Sequence, residues 1–137
     1  MTPRAAWQAY RLRWKRRELI WRAVRARRDL HPVADRSAAI RPGDVLVVAV
    51  LRNEAAHLPG FLAHYRALGT GHFLIVDNDS TDGSDRLLAD QPDVSLWRTG
   101  AGYRAARFGM DWAMALLRRH GRGHWCVTVD ADELLVY

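Results

Sequence analysis

The feature that most constrains the fold is an alternation of apolar, β-branched runs with amphipathic segments, beginning at Asp44. Val45–Leu51 is an unbroken apolar run, which is typical of a strand buried on both faces of a parallel sheet. Glu54–Leu68 carries apolar residues at helical spacing and is followed by Gly69, a common residue at helix ends. Such alternation predicts an α/β fold: a mostly parallel, Rossmann-like sheet with flanking helices.

The remainder of the chain continues this pattern. We expect three further strands, at Phe73–Val76, Val94–Trp97 and Trp125–Val129. Two further helices are expected, at Asp82–Ala89 and Tyr103–His120. The apolar residues of the longer helix that are expected to point inward are Phe108, Trp112, Ala115 and Leu116.

Three regions are expected along the chain. Residues 1–30 run without an interior Gly or Pro after Pro3 and predict a basic helix. Residues 31–43, which contain Pro32, Pro42 and Gly43, predict a linker. Residues 44–137 then form the α/β domain, which we expect to be incomplete at its C-terminal end because a strand ends so close to Tyr137.

The N-terminal helix combines cations with a tryptophan stripe. Trp7, Trp14 and Trp21 recur every seven residues, and residues 1–28 hold ten Arg and Lys against one acid, a charge of +9. The rest of the chain carries −3, so the overall +6 is concentrated at one end. Three interpretations stay open: contact with an anionic membrane surface, packing on the domain or a partner, and nucleic-acid contact. The acidic domain behind the helix disfavours nucleic acid.

Composition restricts the class of protein. A chain of 137 residues that is 49% apolar suits one compact domain. Cys126 is the single cysteine, so an intrachain disulfide is excluded, and its place near His120 and His124 does not make a zinc site because only one thiolate is present. No apolar run is long enough for a span or a secretory signal. We therefore expect a cytoplasmic protein, peripheral at the inner face of the membrane if the helix binds lipid.

Polar clusters follow three of the expected strands: Arg52–Glu54, Asp77–Ser84 and Asp130–Glu133. Ligands of open α/β sheets bind beyond the carboxyl ends of the strands, and neighbouring parallel strands bring such clusters to one rim. Seven carboxylates in one region repel one another unless a cation or hydrogen-bond donors offset them. A divalent metal is the simplest offset.

Asp130 and Asp132 are the candidate metal ligands. In an extended chain their side chains point to one face, roughly 6.5 to 7 Å apart along the strand. One carboxylate can then bind Mg²⁺ or Mn²⁺ while the other reaches a bound water or a hydroxyl. A chance Asp-x-Asp is the alternative, and the polar residues of Asp77–Ser84 are also ordinary turn and helix-cap residues.

Taken together, the clusters resemble a known family. Asp77–Ser84 is similar to the D-[DN]-x-S-x-D-x-[ST] signature of glycosyltransferase family 2, and Asp130-Ala131-Asp132 resembles the DxD motif of its GT-A fold. Three stretches resemble a bacterial subgroup of that family: Leu51–Glu54, Gln91–Val94 and Trp125–Leu134. The resemblance spans residues 40–137.

The resemblance implies a role for each matching residue. Arg52 and Glu54 would border the nucleotide base, and Asp77 would hydrogen-bond it. Asp130 would approach the ribose or the metal, and Asp132 would bind the metal that bridges the diphosphate. Further nucleotide contacts are implied for Asp79, Asp82 and Arg107, with Arg104 as the alternative to Arg107 and a solvated helix face as the alternative for both.

The implied function is transfer of a sugar from a nucleotide-sugar donor, expected to be a UDP-sugar, to a glycan or lipid acceptor with Mn²⁺ or Mg²⁺. The family's general base would lie beyond Tyr137, so no catalytic residue is assigned. A non-catalytic donor-binding or interaction module is therefore the main alternative. A sugar-phosphate nucleotidyltransferase is less favoured, because Leu51-Arg52-Asn53-Glu54 lacks the Gly-rich loop such an enzyme needs.

Overall fold

Strands and helices alternate along the chain in the computed structural model, which describes residues 2–136. The α-helices are α1 (Pro3–Ala26), α2 (Leu58–Ala67), α3 (Ser84–Ala89) and α4 (Met110–His120). The strands are β1 (His31–Ala34), β2 (Val45–Leu51), β3 (Thr70–Asp77), β4 (Val94–Arg98) and β5 (Cys126–Thr128). Short 3-10 turns at Arg27–Asp29 and Ser37–Ala39 complete the regular structure of this range.

Within residues 2–136 the strands form one five-stranded sheet in the order β1-β4-β3-β2-β5. The pairs β2–β3, β3–β4 and β2–β5 are parallel, and only β1 on β4 is antiparallel. The predicted α/β class with a mostly parallel sheet and flanking helices is thus confirmed, and it is compatible with a Rossmann-like fold. Register places Leu51 beside Asp77, and Asp77 beside Arg98, so the carboxyl ends of these strands share one rim.

The sheet has an apolar cluster on each face. Alternate residues of β2 point to opposite sides: Val47 joins the cluster beneath α2, and Val48 joins the cluster beneath α4. Phe61 and Tyr65 of α2 fill the first cluster, and Trp112 of α4 fills the second. This two-sided burial explains why the strand reads as a continuous apolar run rather than an alternating one.

The segment predicted as a linker contributes to the sheet. His31–Ala34 pairs with β4 as an antiparallel edge strand, with a register irregularity between Pro32 and Ala34. Pro32 lacks an N–H, so an edge strand is where it can be accommodated. Arg36, just before the 3-10 turn at Ser37–Ala39, ties this segment to β4 and α3. Its guanidinium donates to the carbonyls of Val94 at 3.1 Å and Ala89 at 2.7 Å.

Three helices begin later than predicted, and α3 does so by only two residues, at Ser84 instead of Asp82. The helix expected from Glu54 begins at Leu58, because Pro59 has no N–H to donate and suits only the first turn of a helix. The helix expected from Tyr103 begins at Met110. Residues 103–109 form turns instead, and Arg107 and Phe108 have left-handed φ values of 50° and 56°. Phe108, expected to point inward, is exposed, whereas Trp112, Ala115 and Leu116 are buried as predicted.

Helix α1 packs on the domain only through its C-terminal end. Ala23 and Ala26 are buried against the α4 side, while Trp7, Trp14 and Trp21 remain 57–66% exposed. The possibility that the tryptophan stripe packs on the domain is therefore wrong. Among residues 2–136, no helix combines the length and the apolar character that crossing a membrane requires.

A buried histidine in β3 makes the stability of the fold depend on pH. Burial lowers the pKa of His72 below its ordinary value, and its Nε2 lies 2.8 Å from Ser95 Oγ. The unfolded chain therefore binds more protons, so stability is full above about pH 6.5 and is lost as pH falls toward the folded-state pKa. We expect the free energy of unfolding in urea to fall between about pH 7 and pH 5.

His72→Gln should flatten this pH dependence while keeping a hydrogen-bonding group beside Ser95. Burial also lowers the pKa of His120, so part of the slope should persist. His31→Gln, at an exposed position of β1, is the matched control and should retain the wild-type slope. If the free energy of unfolding changed with pH to the same extent in wild type and His72→Gln, the pH dependence could not be assigned to His72.

Candidate functional site

A cavity of about 370 Å³ opens at the carboxyl ends of β2, β3 and β5. The chain passes from β2 to β3 and β4 on one side and returns as β5 on the other side of β2. This reversal of strand order is where open α/β sheets place their ligands. The cavity is lined by Val50, Leu51, Arg52, Glu54, Asn78, Tyr103, Asp130, Ala131 and Asp132.

The loop after β2 is held in place by the loop after β3. Asn53 adopts a left-handed φ of 54°, and its N–H donates to Ser80 Oγ at 2.8 Å. In return its Oδ1 accepts the N–H of Thr81 at 2.7 Å. The N–H of Glu54 donates to Ser84 Oγ at 3.0 Å. Serine and asparagine side chains thus replace ladder hydrogen bonds where the strands end.

Asp82 joins the loop after β2 to the loop after β3. Its Oδ1 accepts the hydroxyl of Ser84 at 2.6 Å and the N–H of Ser84 at 3.0 Å, and its Oδ2 accepts the N–H of Ala55 at 3.0 Å. The Ser84 hydroxyl, followed by the Ala55 N–H, holds the pKa of Asp82 below its ordinary value. The structure therefore gives Asp82 a loop-joining role and places it outside the cavity lining.

Asp77 lies at the end of β3, fully buried behind the cavity. Its Oδ2 accepts the N–H of Ser80 at 3.1 Å, and its Oδ1 has no hydrogen-bond partner among the described residues. Asn78, next in the chain, reaches the cavity wall and donates to the carbonyls of Thr99 and Ala101, each at 3.1 Å. Contact between Asp77 and a base stays a prediction, and it requires the cavity to open further toward β3.

Asp79 turns away from the cavity. It has a left-handed φ of 60°, and its Oδ1 accepts from Arg98 Nη2 at 2.7 Å. Hydrogen bonding to Asp79 raises the pKa of Arg98, which also lies 3.6 Å from Asp85. These side chains form an exposed ion-pair network at the end of β4, beside the cavity.

Arg107 pairs with a buried carboxylate instead of lining the cavity. Its Nη2 lies 2.6 Å from Asp111 Oδ1, and Arg22 of α1 reaches Asp111 Oδ2 at 3.1 Å. Arg22 also donates to the carbonyl of Ala105 at 2.9 Å. Arg107, for which a nucleotide contact was expected, therefore links the 103–109 turns to Asp111 of α4, the same carboxylate that Arg22 of α1 contacts.

Asp130 and Asp132 line the cavity from a turn rather than from an extended strand. Regular pairing of β5 ends at Thr128, and the N–H of Glu133 donates to the carbonyl of Asp130 at 3.0 Å. Ala131 is buried in the apolar cluster beneath α2, and the flanking carboxylates are exposed. Both residues line one cavity, but the backbone between them is bent and not extended as expected.

The cavity carries more negative than positive charge. Glu54, Asp130 and Asp132 face one cation, Arg52, which forms no ion pair with any other described residue. Glu54 Oε2 lies 2.7 Å from His57 Nδ1, whereas neither aspartate carboxylate accepts a hydrogen bond from residues 2–136. Across that range, no three acidic, His or Cys side chains converge on one point as a complete metal cage would. Two open carboxylates suit a Mg²⁺ or Mn²⁺ ion whose remaining ligands are phosphate and water.

Sequence reasoning did not select Asn78 and Tyr103. Asn78 carried a usable signal, because it follows a buried strand inside the polar cluster that begins at Asp77. Nothing in the local sequence indicated Tyr103 as a site residue, because its approach to the cavity depends on the turns that end at Gly109.

Of the residues selected from the sequence, the structure brings together Arg52, Glu54, Asp130 and Asp132 in the cavity. It leaves Asp77, Asp79, Asp82 and Arg107 outside the lining. Comparison of the chain with protein families, with curated proteins and with solved structures gives no match.

Proposed function

We propose that this domain binds a nucleotide-sugar donor, expected to be a UDP-sugar, for a glycosyltransferase reaction with a glycan or lipid acceptor. The observation that carries the proposal is the cavity at the reversal of strand order, whose lining includes Asp130, Asp132 and Arg52. The mostly parallel sheet, and the similarity of Asp77–Ser84 to the family 2 signature, support the same proposal, which includes a GT-A fold for this domain.

The chemistry of the cavity suits a charged diphosphate with a cation. Asp130 and Asp132 would hold Mn²⁺ or Mg²⁺ through carboxylate oxygens that no described residue occupies. The ion would neutralise the negative charge of the leaving diphosphate when bound. The resemblance places Arg52 beside the base, but because Arg52 has no ion pair in the described chain we propose instead that it contacts a phosphate oxygen.

The uncharged part of the lining suits the remainder of the donor. Val50 and Leu51 contribute apolar surface to the cavity lining. Tyr103, which also lines the cavity, is 43% exposed. A half-exposed aromatic ring can stack on a planar base while its hydroxyl stays in water. Asn78 donates its side-chain amide N–H groups to two backbone carbonyls. These hydrogen bonds hold this side of the cavity in place.

The metal assignment is tested with Asp132→Asn. We expect calorimetric titration of wild type with UDP to show tighter binding when Mn²⁺ is present than when it is removed by chelation. Asn is nearly isosteric but carries no charge, so the variant should bind UDP in the presence of Mn²⁺ roughly tenfold more weakly, or worse. Without Mn²⁺ the two proteins should bind UDP about equally.

Asp90→Asn is the matched control. Asp90 is exposed at the end of α3, before β4, on the opposite rim of the sheet, and its variant should bind as wild type does. UDP binding that is unaffected by Mn²⁺ and by Asp132→Asn would remove the metal site. Absence of UDP binding under all conditions would remove the donor site as well.

A turnover assay distinguishes an active glycosyltransferase from a non-catalytic donor-binding module. Incubation with UDP-sugar and Mn²⁺, followed by measurement of released UDP, should show hydrolysis or transfer that Asp132→Asn abolishes. Metal-dependent binding with no release of UDP would favour the non-catalytic module.

A further inference from the structure

The N-terminal part of α1 leaves an aromatic face without a partner in the described chain. Trp7, Tyr10, Trp14 and Trp21 are 51–66% exposed, and we call them the aromatic face of α1. We propose that this face docks on an anionic lipid bilayer, with the helix lying flat at the level of the headgroups. The inference is independent of the donor site and goes beyond the proposed function.

The packing of α1 orients the aromatic face outward. Ala23 is buried against the domain, and Trp21 lies two residues before it, which is about 200° around an α-helix. The tryptophans therefore lie nearly opposite the side that contacts α4. Arg22 locks this orientation through Asp111 at 3.1 Å and the carbonyl of Ala105 at 2.9 Å. The domain thus presents the aromatic face to its surroundings as a fixed surface.

The charge of the helix specifies an anionic partner. Residues 1–28 carry +9, and Arg4, Arg11 and Lys15 follow one row beside the tryptophans at spacings of seven and four residues. Cations beside interfacial tryptophans can reach lipid phosphates while the rings rest at the edge of the acyl region. Other cations, such as Arg16, lie on further sides of the helix, so the attachment is shallow and mainly electrostatic.

Two other occupants are disfavoured by charge. A second copy would bring another +9 helix against the first, and like charges repel. Nucleic acid would match the charge of the helix, but the rest of the chain behind the helix carries −3 and would repel a phosphate backbone. A bilayer satisfies both the charge and the rings.

Co-sedimentation of the full chain with vesicles tests the proposal. We expect at least roughly tenfold stronger binding to phosphatidylcholine vesicles that contain about a quarter phosphatidylserine than to phosphatidylcholine alone. Binding should be lost in about 1 M NaCl, where the screening length is about 3 Å. The triple variant Trp7→Ala, Trp14→Ala, Trp21→Ala should bind anionic vesicles roughly tenfold more weakly than wild type.

The controls separate docking from loss of structure. Alanine is a better helix former than tryptophan, so circular dichroism of the triple variant should show undiminished helix. Trp125→Ala removes a tryptophan that is 84% exposed but lies outside α1, and it should bind vesicles as wild type does. The variant Arg4→Gln, Arg11→Gln, Lys15→Gln should lose binding and salt dependence together.

Four results would overturn the proposal. The first is equal affinity for neutral and anionic vesicles, or none for either. The second is unchanged binding by the triple tryptophan variant. The third is tighter binding to a duplex or single-stranded oligonucleotide, measured by fluorescence anisotropy, than to anionic vesicles at the same ionic strength, which would assign the helix to nucleic acid. Sedimentation equilibrium should show a monomer, and dimerisation lost in the triple variant would assign the face to a second copy.

Discussion

Replacing Trp112 by alanine is expected to lower the free energy of unfolding by about 3–5 kcal/mol. Trp112 is fully buried at the centre of the cluster beneath α4, in the same cluster as Val48 and Leu74. Removing the indole leaves a cavity that the sheet behind it cannot collapse to fill. Since small domains are stable by only about 5–15 kcal/mol, urea denaturation should show a large shift of the midpoint.

Trp112→Phe should cost much less. The indole Nε1 is buried and has no hydrogen-bond partner among the described residues. Phenylalanine keeps most of the apolar contact and removes a donor whose unpaired burial costs about 1–3 kcal/mol. Trp125→Ala, at an exposed site, should change stability by less than about 0.5 kcal/mol. A cost for Trp112→Phe as large as that for Trp112→Ala would show that the indole N–H is satisfied.

Gly109→Ala is expected to lower the free energy of unfolding by about 2–4 kcal/mol. Gly109 has a φ of 80°, which costs an alanine backbone strain. An added Cβ would also lie 2.8 Å from Val50 Cγ1 and 3.2 Å from Tyr103 Cε2. Because Val50 and Tyr103 both line the cavity, the same substitution should weaken nucleotide binding if the donor site is correctly assigned.

Two other glycines separate the strain from the clash. Gly83 has a φ of 91° but open space around an added Cβ, so Gly83→Ala should cost about 1–2 kcal/mol from strain alone. Gly60 lies inside α2 with neither feature, so Gly60→Ala should stabilise by about 0.5–1 kcal/mol. Urea denaturation of the three variants should therefore rank Gly60→Ala above Gly83→Ala and Gly109→Ala last. Equal costs at Gly83 and Gly109 would exclude the clash with Val50.

The candidate site depends on contacts that join distant parts of the chain. Ser80, Asp82 and Ser84 hold the loop that carries Arg52 and Glu54. The 103–109 turns, which carry Tyr103, are held by Arg22 of α1 through Ala105. Attachment of α1 to a surface would therefore fix the helix that braces one wall of the cavity.

Local pattern was sufficient for the strands and for the rim. β2 lies at Val45–Leu51, the range expected from its apolar run, because burial on both faces leaves no tolerance for polar residues. Parallel pairing then required the clusters after β2, β3 and β5 to share an edge, which is why Arg52, Glu54, Asp130 and Asp132 were found together. These are consequences of periodicity and of strand direction, which a sequence expresses locally.

Several details depended on tertiary contacts and were not predictable from local pattern. The edge strand His31–Ala34 contains a proline and lies in a polar segment, so only its pairing with β4 reveals it. The helical periodicity of residues 103–109 was overridden by left-handed turns, and Arg107 turned to Asp111. Asp79 and Asp82 each had several possible hydrogen-bond partners. In the folded chain Asp79 accepts from Arg98, and Asp82 accepts the N–H of Ala55.

By itself the sequence determined the α/β class, the shared rim and the chemistry available there, because buried strands demand apolar runs and strand ends collect polar residues. Only the tertiary structure decided which of those polar side chains open into the cavity and which hold the loops together. It also decided that the tryptophans of α1 face outward, because the choice of buried helix face rests on Ala23 and Ala26 meeting α4. Several faces of α1 carry apolar residues, and periodicity does not choose among them until a neighbouring surface is present.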